Sequence, residues 1–197
     1  MNWVYIKLLY FFNLSLLFFI ILIGKFSIAN DEINIVADKI ITNKQENTLN
    51  ASGDVIVVDR DGLKLSSKKA EYNKNSKKLV ASDEVIVNDE HGNTFFLEKI
   101  EAIDGLKTIR GDAVKVRLND GSRIVGKDLA KVDTISVLSD AEYTPCTEGD
   151  YLIENCPGWK LKSKRIYRDD SKKTVYYDHA RLHLFNIPIL YLPHFSH

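Results

Sequence analysis

Proline is missing from residues 30–144. A residue that removes a ladder donor is confined to sheet edges and bulges, so its absence leaves this stretch free to form uninterrupted strands. Net charge is missing too: 27 Lys and Arg balance 27 Asp and Glu. No basic excess marks a nucleic-acid partner, and the scattered charges suit solvated strand faces. Only two cysteines occur, Cys146 and Cys156, with no histidine between them, a spacing that matches no zinc-ligand pattern. Also lacking are a nucleophile elbow, a phosphate-binding glycine loop and a matched carboxylate pair. Of the five histidines, His179 and His183 stand four apart. On a strand that is ~13 Å, too far to share a metal. No catalytic residue, metal or cofactor is therefore expected, and the chain reads as something other than an enzyme.

What is present begins with the leader. Lys7 precedes an apolar run over residues 8–23, broken only by Asn13 and Ser15, and Ser27 and Ala29 follow as small residues. A charged head, an apolar middle and an A-x-A-like site predict a signal peptide over residues 1–29, cleaved before Asn30. An uncleaved anchor is the alternative, because about 18–20 apolar residues span a bilayer. Either sends residues 30–197 out of the cytoplasm, where a disulfide between Cys146 and Cys156 is permitted. Free or buried thiols remain the other reading.

The same phrase then recurs: "GDVIVVDRDG" at 53–62, "DEVIVNDEHG" at 83–92 and "DAVKVRLNDG" at 112–121. Val55, Val85 and Val114 lie seven residues before the turn glycines Gly62, Gly92 and Gly121, and Val57, Val87 and Val116 lie five before. Three residues after each glycine come Leu65, Phe95 and Ile124; eight after come Ala70, Ile100 and Leu129. A fourth copy starts at Gly158, with Leu161 and Ile166 in those places, so the cysteine segment reads as an insertion. Alternation of period two predicts strands with one apolar face. "DRDG", "DEHGN" and "NDGS" are turn chemistry, as are "NKNSKK" and "RDDSKK". About ten short antiparallel strands are expected over residues 31–145, two per copy. The apolar set of Val55, Val57, Leu65, Val85, Val87, Phe95, Val114, Val116 and Ile124 is either a filled core or a groove left partly open for an aliphatic ligand.

Residues 157–197 change character, becoming aromatic and nearly free of charge over 182–192. "SDAEYTPC" at 139–146, then W-x-L-x-S-K-R-I at 159–166, then "KTVYYDHARLHLFNIPILYLPHFSH" at 173–197 resemble the N-terminal part of the LptD family. These are lipopolysaccharide-assembly outer-membrane proteins, also called organic solvent tolerance proteins. The earlier A-x-G-x-V-x-V-x-D repeats resemble the OstA-like domain of that pathway. The resemblance implies an all-β fold, a β-jelly-roll or taco-like repeat of antiparallel strands around an open apolar groove. It divides the chain into the leader, an OstA-like domain over 30–145, and a cysteine-bearing segment over 146–197 leading towards a barrel. It implies a periplasmic domain of an outer-membrane protein that receives lipopolysaccharide and passes it on to the outer membrane. Expected partners are lipopolysaccharide, a periplasmic bridge protein of similar fold added at the edge near Ile33 and Ile35, the barrel's lipoprotein plug and the outer membrane, with no nucleic acid. In that family a cysteine at the place of Cys146 joins the periplasmic domain to the barrel. The abrupt apolar end at His197 is expected to be a truncation. A free-standing bridge protein of the same superfamily and a structural β-solenoid are the rival readings.

Overall fold

The computed structural model describes residues 33–60, 62–145 and 158–196. The expected signal peptide and both cysteines lie outside these residues. All regular structure described is strand: β1 (Ile33–Val36), β2 (Lys39–Asn43), β3 (Thr48–Asp59), β4 (Lys64–Asn73), β5 (Lys78–Asn88), β6 (Thr94–Ile103), β7 (Thr108–Arg117), β8 (Arg123–Val132), β9 (Ile135–Thr144), β10 (Trp159–Asp169), β11 (Thr174–Leu184) and β12 (Ile187–Ser196). They form one antiparallel sheet in chain order from β3 to β12, and β1 and β2 share the free edge of β3. The all-β expectation holds. Nine of the ten strands expected before residue 145 are seen. The division at 145 runs through one sheet, because β9 pairs with β10 from Tyr143–Leu161 to Ile135–Asp169.

Two kinds of turn set this order. At one end the amides of Asp59, Asp89 and Leu118 donate to the carbonyls of Leu63, Asn93 and Ser122, at 3.2, 3.1 and 2.9 Å. Gly62, Gly92 and Gly121 sit there at φ of 83°, 82° and 85°, a conformation that a side chain would strain. At the other end each turn bonds to the one before it. Lys74 donates to the carbonyl of Asn47, Asp104 to Lys77, Asp133 to Lys107 and Asp170 to Thr134, at 2.9–3.2 Å. One backbone bond per copy therefore locks successive hairpins in step, as stacked repeats require.

Alternate strands, β3, β5, β7, β9 and β11, also bulge in the middle. The backbone turns left-handed at Asp54, at Asp83 and Glu84, and at Ala113, Asp140 and His179. Register shifts at Ser52/Val55, Ser66/Lys69 and Ser82/Val85 mark the same level in β3, β4 and β5. Bulges bend a strand and sharpen its twist. Aligned across the sheet, they crease it lengthwise into two walls.

The registers place one apolar row on each wall. The first runs Ile35, Val57, Leu65, Val87, Phe95, Val116, Ile124, Tyr143, Leu161, Leu182 and Leu190, each the cross-strand partner of the next. The second runs Ala51, Ala70, Ala81, Ile100, Gly111, Leu129, Leu138, Ile166, Tyr177 and Phe195. Directly opposed apolar pairs are the unit of sheet stabilisation, and here they are continuous. Ion pairs such as Lys69–Asp83 and Lys78–Glu101, both 2.9 Å, lie on exposed side chains outside.

Candidate functional site

The nine candidate lining residues all point into the crease, and none is more than 7% exposed. Leu65, Phe95 and Ile124, on the return strands, share the face of the valines. Along the crease, however, packing is uneven. Val55, Val57, Leu65, Val85 and Val87 lie in a closed interior with Leu79 and Ala81. At Gly111 an added Cβ would fall 2.5 Å from Leu97 Cδ2, and at Gly126 it would fall 3.3 Å from both Leu138 Cβ and Val114 Cγ1. The walls are filled there.

Beside this filling, between β6 and β11, space opens. A cavity of about 410 Å³ is lined by Phe95, Val116, Ile124 and Tyr143 from the first row and by Leu138, Ile166 and Tyr177 from the second. One cavity taking residues from both rows means that the two walls face each other across it. Three of the nine candidates, Phe95, Val116 and Ile124, therefore line open space, while the other six pack in the closed part. Polar groups stand at the rim: His91, Asn93, Asn119, Asp120, Arg168, Asp170 and Lys173. Asn93 is itself buried; its side chain donates to Asp89 Oδ2 at 2.6 Å and accepts from the Asn119 amide at 3.1 Å. It ties two successive turns at the rim. Arg168 Nε meets Asp170 Oδ1 at 2.7 Å. Burial pushes the Tyr177 phenol well above its ordinary value, with Tyr143 adding to the effect. Its hydroxyl therefore stays neutral on an apolar wall.

A second cleft of about 400 Å³ joins the two sets of turns. It takes Asp59, Leu63, Asp89, Glu90 and His91 from one set, and Leu106, Lys107, Asp133 and Thr134 from the other. Leu63 and Leu106 are buried in this meeting line, so the mouth of the crease is closed by turns rather than by strands. Among the described residues no group of three or more His, Cys, Asp or Glu could hold a metal. Ile33 is buried and Ile35 half-buried in β1, whose outer edge has no partner strand among the described residues. Cys146 and Cys156 lie outside the described residues.

Sequence reasoning passed over Leu106, Leu138, Tyr143 and Tyr177 as lining residues. The signal for one of them, Tyr143, was present. Ala141 and Tyr143 follow the bulge residue Asp140 as Val114 and Val116 follow Ala113.

The OstA-like protein family matches residues 19–128. The chain belongs to that family. A curated relative, the LPS-assembly protein LptD of Idiomarina loihiensis, is 25% identical over 150 residues, 72% of this chain. The match spans 18% of that relative's length. Among solved structures, the chain is similar to LptH of Pseudomonas aeruginosa, described as the LptA-homologous periplasmic component of a lipopolysaccharide transport device. That likeness has a TM-score of 0.30 and 16% identity, over 77% of this chain and 92% of that one.

Proposed function

We propose that residues 30–197 are the periplasmic lipid-receiving domain of an LptD-type lipopolysaccharide-assembly protein, a conduit rather than a catalyst. The observation that carries this reading is the cavity of about 410 Å³ held between two apolar rows that continue past it in both directions. Each CH₂ of an acyl chain buried there gains about 0.8 kcal/mol. Affinity then comes from chain length and needs no polar specificity. Because the lining stays apolar from strand to strand, a chain can shift along the open part without meeting a polar barrier. The sugar head stays outside, beyond the polar rim.

In this reading the leader exports the chain, and β1 offers its unpaired edge at Ile33 and Ile35 to a bridge protein of similar fold by strand addition. The lipid leaves towards β12, a barrel and its lipoprotein plug, and the outer membrane. Membership of the OstA-like family and the LptD relative support a role in lipopolysaccharide transport.

The test is site-specific photocrosslinking in cells. Probes at Val116 and Ile166, one on each wall, are expected to capture lipopolysaccharide, whereas a probe at the exposed Lys115 is not. Equal labelling from Val116 and Lys115 would mean surface adsorption, and the conduit reading would fall.

A further inference from the structure

We infer that the tip of the β11–β12 hairpin, with the basic strand stems behind it, is a docking surface for an anionic lipid bilayer. Two independent observations meet there. The first is apolar exposure. Phe185 is 73% and Ile187 64% exposed at the tip, with Leu184, Ile189 and Trp159 also exposed beside them. Phe185 and Asn186 form the tight turn, both at positive φ. Trp159 is the cross-strand partner of Leu184. Among the described residues nothing packs over these large aromatic and aliphatic side chains, and Trp favours the level of lipid headgroups.

The second observation is charge of one sign placed against itself. Lys162 is directly opposite Arg181, and Lys160 opposite His183, on β10 and β11. The like charges of Lys162 and Arg181 across the ladder are destabilising. One carboxylate, Glu142, lies 3.2 Å from both Lys160 and Lys162. Among the described residues no carboxylate pairs with Arg181 or Lys164. Lys162, Lys164 and Arg181 share an outer concavity of about 760 Å³, with Asp140 and Glu142 as its only acids. From residue 179 to 197 the sequence has neither Asp nor Glu, although the whole chain is neutral.

The spacing suits a bilayer interface. At roughly 3.3 Å per residue, His183 and its partner Lys160 stand ~7 Å behind Phe185, and Arg181 with Lys162 ~13 Å behind. Interfacial elements bury their apolar side about 5–10 Å deep. A tip sunk to that depth puts one basic pair at the phosphates and the next just outside them. A soluble anion would use the basic concavity and ignore the tip; a protein partner would use the tip and have no need of unpaired cations. The bilayer uses both. It would also set the exposed end of the first apolar row, at Leu190, close to lipid.

The experiment uses the full chain with Trp3→Phe, which leaves Trp159 as its one tryptophan. Residues 8–23 give the chain another means of holding vesicles, so the readout is local to the tip. Vesicles of phosphatidylglycerol carrying brominated acyl chains are expected to quench Trp159 and shift its emission to the blue. Phe185→Asp should abolish the quenching. Lys162→Glu combined with Arg181→Glu should raise the phosphatidylglycerol concentration needed at least tenfold, to that needed with phosphatidylcholine alone. Inorganic phosphate at 10-fold excess over lipid is expected to leave quenching intact. Unquenched Trp159 in vesicle-bound chain overturns the proposal. So does loss of quenching in phosphate, or a dimer in sedimentation that Phe185→Asp dissolves without any lipid effect. Capture of lipopolysaccharide at Val116 is a separate readout, so failure here is distinguishable from failure of the conduit reading.

Discussion

A single residue in each copy decides which way half a strand faces. Leu65 and Ala70 are five apart, as are Phe95 and Ile100, Ile124 and Leu129, and Leu161 and Ile166. Five is odd, so on a flat strand the two would lie on opposite faces. All eight are buried, because the alternation changes phase where these strands cross the crease, at the level where the neighbouring strands β3, β5, β7, β9 and β11 bulge through a left-handed residue. The cost falls on side chains held in the left-handed region, roughly 1–2 kcal/mol for a residue with a Cβ. Asp and Asn tolerate it better than Ala does. Ala113, at φ 52° and exposed, has no polar atom to offset the strain. Ala113→Gly is therefore expected to raise stability. Relief of strain is opposed by about 0.4–1 kcal/mol of added unfolded-state entropy, leaving a net gain of about 0.5–1 kcal/mol. Urea denaturation at equilibrium measures it. A loss of stability would mean that the Cβ makes a contact worth more than the strain.

At the scale of elements, the last three strands are tied together from outside. Asp178 on β11 takes hydrogen bonds from Arg165 Nε on β10, at 2.8 Å, and from His194 Nδ1 on β12, at 3.0 Å. Arg165 first, then His194, holds the Asp178 carboxyl below its usual range. A folded-state value below the unfolded one, near 3.9, stabilises the fold fully above that unfolded value. The contribution is lost as pH falls through the lowered folded value. Asp178→Asn should accordingly melt at a lower temperature than the natural chain at pH 6, with the gap closing steadily below about pH 4. A gap of constant size across that range would show that the carboxylate's charge is not what holds β12. These strands were also where the sequence was hardest to read. β3 to β8 were legible because valine phrases and turn glycines repeat at near 30 residues. In β9 and β11 the valine places hold Ala141 and Tyr143, and Ala180 and Leu182, so period-two alternation survives with different side chains. The mark common to every such strand is the acid at or just before the bulge: Asp54, Asp83, Asp112, Asp140 and Asp178. What no spacing could give was where the walls touch. Filling depends on Gly111 and Gly126 meeting Leu97 and Leu138 across neighbouring strands, which is a matter of volumes, not of pattern.

At the scale of the whole molecule, the crease is sealed over β3 to β5 and open between β6 and β11. A lipid entering at the β1 edge has to pass the sealed part. Val57, Leu65, Leu79 and Ala81 are fully buried there, so the walls must separate for an acyl chain to move through. Interiors packed to crystal-like density do not admit a chain without such an opening. The line along which they would part is the mouth, where Leu63 and Leu106 of the two turn sets meet. Among the described residues no strand pairing crosses that line, so opening breaks turn contacts and leaves the ladders intact. Tying the mouth should then stop passage without unfolding the sheet. With Cys146 and Cys156 replaced by serine, Leu63→Cys and Leu106→Cys are joined by a thiol-reactive linker that carries a cleavable disulfide. Lipopolysaccharide reaching a photocrosslinker at Ile166 is expected to fall at least tenfold while the linker is intact and to recover once it is reduced. Each cysteine modified alone, with a reagent that cannot bridge, should leave arrival within about twofold of the unlinked chain. Arrival unchanged under an intact bridge would mean that lipid does not travel between the walls at this level, and that it joins the crease beyond β7, directly at the open cavity.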